Sequence, residues 1–216
     1  QLQAGNSADA SLILKELAKQ AETAYDALGS KTTSSASPLL QESHTDYMRS
    51  LKLFGEALRT YTGKANAVPG SELVAQLQSD AYLAEAKNFA LKAEKEYYDS
   101  IIKWYESVDP QFKPIDVSQP LALTAWSPLS LNMKNAYIAN LLMASKQFRS
   151  FTSQDLSSRI DEMIASGQAK KMNLNDVGTL VDMLLGTDAV RPGDFIRLKS
   201  KFYTNQTLPQ LPSFTN

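Results

Sequence analysis

Residues 71–108 contain neither proline nor glycine, and no other feature constrains the fold of this chain as much. Their apolar positions recur at the three- and four-residue spacing of a helix face, so the stretch predicts one uninterrupted helix. At 1.5 Å per residue such a helix is roughly 55 Å long. Two shorter helices precede it. Residues 8–28 carry Leu14, Leu17, Ala21, Ala24, Tyr25 and Leu28 on one face and stop at Gly29. After the polar loop "GSKTTSSAS", Pro38 opens a second helix. Its Tyr47, Leu51, Phe54, Leu58 and Tyr61 alternate by four and three, a heptad-like pattern that suits near-parallel packing on a neighbour. The third helix is rich in alanine at Ala81, Ala84, Ala86, Ala90 and Ala93, which lets a neighbouring backbone come close. The expected fold is all-α: a long antiparallel helical bundle of three long helices, with an additional compact subdomain of shorter helices.

The third helix ends in "EYYDSIIKWYESVDP". On a helical wheel Tyr97, Tyr98, Ile101, Ile102, Trp104, Tyr105 and Val108 share an arc of about 160°. Glu96, Asp99, Ser100, Lys103 and Glu106 take the other side. A face that wide calls for more than one neighbour, and the expectation is that the next segment covers it. That segment, 109–127, is broken by Pro110, Pro114 and Pro120 but still holds Phe112, Ile115, Val117, Leu121, Leu123 and Trp126. Buried in this way, Trp104 would cost about 3–5 kcal/mol on truncation to alanine.

The domain reading is a helical bundle over 1–108, an apolar proline-rich connector over 109–127, a compact helical subdomain over 128–204 and an extended tail over 205–216. In the subdomain, Ser127 and Pro128 look like the start of a helix reaching Phe151. Thr152 with Asp155 resembles a capping box, Asn173 is read as a cap, and Pro192 opens the last helix.

Chemistry is sparse. The net charge of −1 argues against a dedicated nucleic-acid binder, which needs a basic face. With no cysteine and a single histidine, His44, thiolate sites, disulfides and a multi-histidine zinc centre are excluded. Neither a phosphate-binding glycine loop nor a G-x-S-x-G elbow occurs. The acids of the third helix and Asp161-Glu162 are read as solvated charges. No apolar run reaches the length of a membrane helix. The chain begins at Gln1 and is rich in Ser and Thr, and is read as an exported or cell-envelope protein, with a trimmed cytoplasmic form as the alternative.

No cofactor or metal is expected. The function expected is a non-enzymatic helical interaction or assembly protein with protein partners, a component or adaptor of a larger complex. The alternative is a small-ligand-binding or sensor domain. A hydrolase with a carboxylate pair is the third reading. The candidate interface or ligand region is Tyr97, Tyr98, Ile101, Trp104, Tyr105 and Trp126.

Overall fold

A computed structural model describes residues 7–206. They form ten helices, with no strand among the described residues, so the fold is all-α. The expected tail lies outside the described residues from position 207 onward. None of the described helices is long and apolar enough to cross a membrane. The chain divides into two compact units, Gln1–Ser100 and Ile101–Asn216, so the division falls inside the longest helix.

The first unit contains α1 (Ser7–Gly29), α2 (Pro38–Lys64), α3 (Gly70–Ser79) and α4 (Ala81–Val108) as far as Ser100. Helices α1 and α2 run antiparallel. Ser11 Oγ donates to the Thr62 carbonyl at one end (3.1 Å), and His44 Nε2 lies 3.0 Å from the Leu28 carbonyl at the other. The lone histidine therefore reaches the last turn of α1, where the Leu28 carbonyl also accepts from the Lys31 amide at 3.0 Å.

Helices α2 and α4 are also antiparallel and touch through small residues. Ser43 Oγ donates to the Ala93 carbonyl at 2.7 Å and Ser50 Oγ to the Ala86 carbonyl at 2.8 Å. A hydroxyl reaches a neighbouring helix's backbone only where both surfaces are small, and here serine faces alanine. All four residues are buried. Gly55 plays the same part against α1, where a Cβ would sit 3.8 Å from the Ala18 carbonyl and 3.9 Å from Ala21 Cβ. That is ordinary contact distance. Gly55→Ala should therefore fit and raise stability by about 0.5–1 kcal/mol, because alanine loses less backbone entropy in a helix. A fall in the urea midpoint would contradict this.

The long third helix is interrupted, contrary to the sequence expectation. Asp80 leaves the helical conformation (φ −70°, ψ 126°) between α3 and α4. Its Oδ1 accepts from the Leu83 amide at 2.8 Å, an N-cap bond, and its Oδ2 accepts from the Tyr61 hydroxyl at 3.0 Å. The bend lets α3 lay Leu73 into a cluster with Ala10, Leu14, Tyr61 and Ala65. A straight helix would forgo both the cap and the tyrosine bond.

The polar side of the α4 wheel is not all solvated either. Glu96 and Ser100 are buried. Lys92 Nζ bridges the Asp46 carboxylate (2.6 Å) and Glu96 Oε1 (3.1 Å), while Arg49 pairs with Asp46 at 3.0 Å. Glu96 Oε2 has no hydrogen-bond partner. Burial holds the Glu96 carboxyl above its ordinary value of 4.5, and Asp46 and Glu42 add to this against the opposing pull of Lys92. The folded chain thus keeps a proton that the unfolded chain releases. The stability gained is present below 4.5 and is lost as pH rises through the higher folded value. In urea titrations the wild type should lose stability relative to Glu96→Gln as pH is raised across this window. A relative gain would show that Lys92 outweighs burial.

The second unit contains the end of α4, then α5 (Leu123–Trp126), α6 (Leu131–Ala144), α7 (Ser153–Ala165), α8 (Gln168–Lys171), α9 (Val177–Gly186) and α10 (Asp194–Phe202). Helix α6 starts later and stops earlier than expected. Ser130, not Ser127, caps it by accepting from the Met133 amide, and Lys146 turns left-handed beyond it (φ 54°). Polar and apolar positions alike are buried around α6, including Asn132, Lys134 and Asn135, as fits a helix enclosed on several sides.

The box at the start of α7 forms as expected, with the Thr152 amide donating to Asp155 Oδ2 at 3.1 Å. Asp155 Oδ1 also accepts the amides of Gly193 and Phe195 at 3.1 and 3.0 Å. One carboxylate thereby serves the first turns of α7 and α10. Helix α9 is capped by Asp176, which accepts from the Thr179 amide at 2.8 Å, while Asn173 is a left-handed turn residue (φ 55°) and not the cap. Helix α10 opens at Asp194, after left-handed Gly193 (φ 88°).

Candidate functional site

The second unit holds two polar and aromatic clusters, and four of the six sequence-selected residues, Ile101, Trp104, Tyr105 and Trp126, divide between them. The first is fully buried and is organised by Asp161. Lys134 Nζ lies 2.9 Å from both Asp161 oxygens, and Trp126 Nε1 donates to Oδ1 at 2.8 Å. The Tyr203 hydroxyl donates to Oδ2. The ammonium also lies 5.5 Å from the Trp126 ring centroid and 6.0 Å from that of Tyr203, within reach of both quadrupoles. Burial, together with the Asp161 charge, pushes the Tyr203 phenol well above its ordinary range, so it stays a donor. Every member of this set has a partner. Trp126 is thus a core residue, closed off further by the edge of Tyr137 at 6.3 Å. Asp161, expected in solvent, is the hub of the core, and Glu162 beside it pairs with Arg159 and Arg197.

The second cluster lies at the end of α4. Trp104 is 57% exposed and Val108 is 54% exposed, contrary to the expected burial of Trp104. Ile101 and Tyr105 are half-buried. The Trp104 ring meets Tyr105 edge-on at 5.0 Å, and Tyr105 stacks on Phe112 at 5.4 Å and 21°. Phe112 is therefore the part of the connector that returns to the aromatic end. The later connector is held elsewhere. Ala122 bridges Asp176, with Leu123 N donating to Asn175 O at 2.9 Å and Val177 N to Leu121 O at 2.8 Å. The Tyr137 hydroxyl adds a bond to the Gln119 carbonyl at 3.1 Å.

Beside Tyr105 lies an open cavity of about 520 Å³, lined also by Pro128, Leu129, Leu131, Asn132 and Gln206. Gln206 Oε1 accepts from the Leu131 amide at 2.8 Å and so occupies one free donor at the start of α6. Asn132 is buried, and its Oδ1 has no hydrogen-bond partner. Sequence reading gave no signal for Gln206, whose role depends on a partner 75 residues away.

Tyr97 and Tyr98 belong to the first unit. Their rings meet edge-on at 5.1 Å, and Tyr98 is buried. The Tyr97 hydroxyl is enclosed without a hydrogen-bond partner, and burial pushes its phenol up to about 12. Tyr98 is therefore a core residue and Tyr97 is half-buried. Among the described residues, no three His, Cys, Asp or Glu side chains are gathered as a metal ion would need. No family model, curated protein or solved structure matches this chain.

Proposed function

We propose that this chain is a non-enzymatic helical interaction protein, a component or adaptor of an exported or cell-envelope assembly, and that it meets a protein partner through the end of α4. The observation that carries this reading is the exposure of Trp104. A tryptophan more than half in solvent, one helical turn from an exposed valine, gives large apolar area with one polar tip. Such residues are enriched where interfaces concentrate their binding energy. The half-buried Tyr105, stacked on Phe112, gives the tryptophan a firm base, so little side-chain freedom is lost on docking.

The test is affinity capture of the tagged chain from its own source, read by mass spectrometry, with Trp104→Ser in parallel. A reproducible set of proteins that is lost with the serine variant supports the reading. A set that survives the substitution removes the α4 end as the interface. Trp126 fluorescence, which reports the buried cluster, checks that the variant is folded.

A second reading, a small-ligand-binding domain, is favoured by the cavity beside Tyr105. Its volume falls in the range of small-molecule sites. Protection of Trp104 from iodide quenching by a single metabolite, with no co-purifying protein, would favour it over the first.

A further inference from the structure

A different surface of the second unit carries its own signal. Between α7, α8 and α9 lies an open groove of about 430 Å³ whose lining includes Met163, Met172, Met183 and Leu184. Half of the six methionines in the chain converge on this one feature. They are graded by depth: Met163 is buried at its floor, Met183 is half-buried, and Met172 is 50% exposed. Unbranched thioether side chains adapt their shape to an incoming apolar surface, and they recur on surfaces that receive helical segments.

The charge of the lining is one-sided. Arg159 and Lys171 line the groove, and no carboxylate does among the described residues. Arg159 is already matched by Glu162 and by the Ala189 carbonyl. Lys171 is exposed and has no ion-pair partner among the described residues, and Lys170 beside it is also exposed. Among the lining residues the unmatched charge is therefore positive, while Asp182, beside Met183 on α9, is an exposed carboxylate outside the lining.

We propose that this groove is a docking site for an amphipathic helical segment of a partner protein, with apolar anchors at helical spacing and acidic residues flanking them. The anchors enter between Met163, Met172 and Met183, and an acidic flank meets Lys171. The site uses no residue of the α4 end and stands whether or not that end is an interface.

The experiment uses the full chain labelled with ¹³C at the methionine methyl groups. Six methyl signals are followed while two synthetic amphipathic helical peptides are added. Both have leucines at one helical face, and they differ only in carrying glutamate or lysine beside it. Met48, Met133 and Met143, which do not line the groove, are internal controls. The glutamate peptide is expected to shift the Met163, Met172 and Met183 signals and spare the controls. Lys171→Glu should weaken that binding by about tenfold, as expected when an attractive contact becomes a like-charge one. The variant changes only an exposed side chain, so its control methyl signals should stay in place.

Three outcomes overturn the proposal. One is no shift of the groove methyls with the glutamate peptide at millimolar concentration. Another is equal binding of the lysine peptide. The third is saturable binding of dodecanoate at the groove methyls with neither peptide competing, which makes the occupant an acyl chain and not a protein.

Discussion

Asp161→Ala is expected to cost the second unit about 3–5 kcal/mol, because it leaves the Lys134 ammonium buried without its counter-charge. The same substitution removes the acceptor of Trp126 Nε1 and of the Tyr203 hydroxyl, so two further donors are stranded in the core. The pair itself need not be so valuable. Desolvating two charges offsets much of their attraction, and Lys134→Met/Asp161→Leu should cost clearly less than the sum of the two single changes. Urea unfolding followed by tryptophan fluorescence gives all four corners of this cycle. Additive costs would show that lysine and aspartate act separately, against the bidentate geometry at 2.9 Å.

Trp126→Ala and Trp104→Ala should differ by several kcal/mol although both replace the same side chain. Trp126 is fully enclosed. Its loss opens a large void beside Tyr137 and Lys134 and should cost about 3–5 kcal/mol. Trp104 is largely in water and should cost less than about 1 kcal/mol. The two rings also differ as probes. Iodide should quench Trp104 and leave Trp126 nearly untouched, and the emission left in Trp104→Ala should be blue-shifted. Equal costs, or equal quenching, would mean that the end of α4 is covered in solution.

These two residues also mark where sequence reasoning reached its limit. The wheel places Trp104 on an apolar face of α4, and it is on one, but periodicity reports only which side of a helix is apolar. It does not report whether anything lies over that side. The proline-rich connector had enough apolar residues to cover it, and Phe112 does stack on Tyr105, yet Trp104 stays exposed. The bridge at Ala122 holds residues 121–123 to the start of α9.

Helix boundaries were legible where the punctuation was strong. Gly29, Pro38 and the Thr152–Asp155 box all stand where they were read. Boundaries failed where several side chains competed for a cap. Ser130 prevailed over Ser127, and Asp176 over Asn173, choices that depend on backbone geometry a few residues away. Asp80 was overlooked as a breaker because the apolar spacing runs on across it, although aspartate is a preferred N-cap. Its cap is favoured here by the Tyr61 hydroxyl, a contact from another helix. The buried acids Glu96 and Asp161 were missed for a related reason. Charge predicts exposure only until a lysine from another turn or another helix arrives to pair with the buried acid.

The two serines of α2 have a consequence for mechanics. Ser43 and Ser50 sit about two helical turns apart, and so do their acceptors on α4, the carbonyls of Ala93 and Ala86. Suppose α2 slides along α4 by one turn. Tyr47 and Phe54, four positions on, would then arrive where the hydroxyls had been. Rings do not fit between two backbones held at serine-to-carbonyl distance, so the slide must first pry the helices apart. The two helices are thus indexed like a key in a lock, and a force along the bundle axis should be met by abrupt separation, not by creep through neighbouring registers.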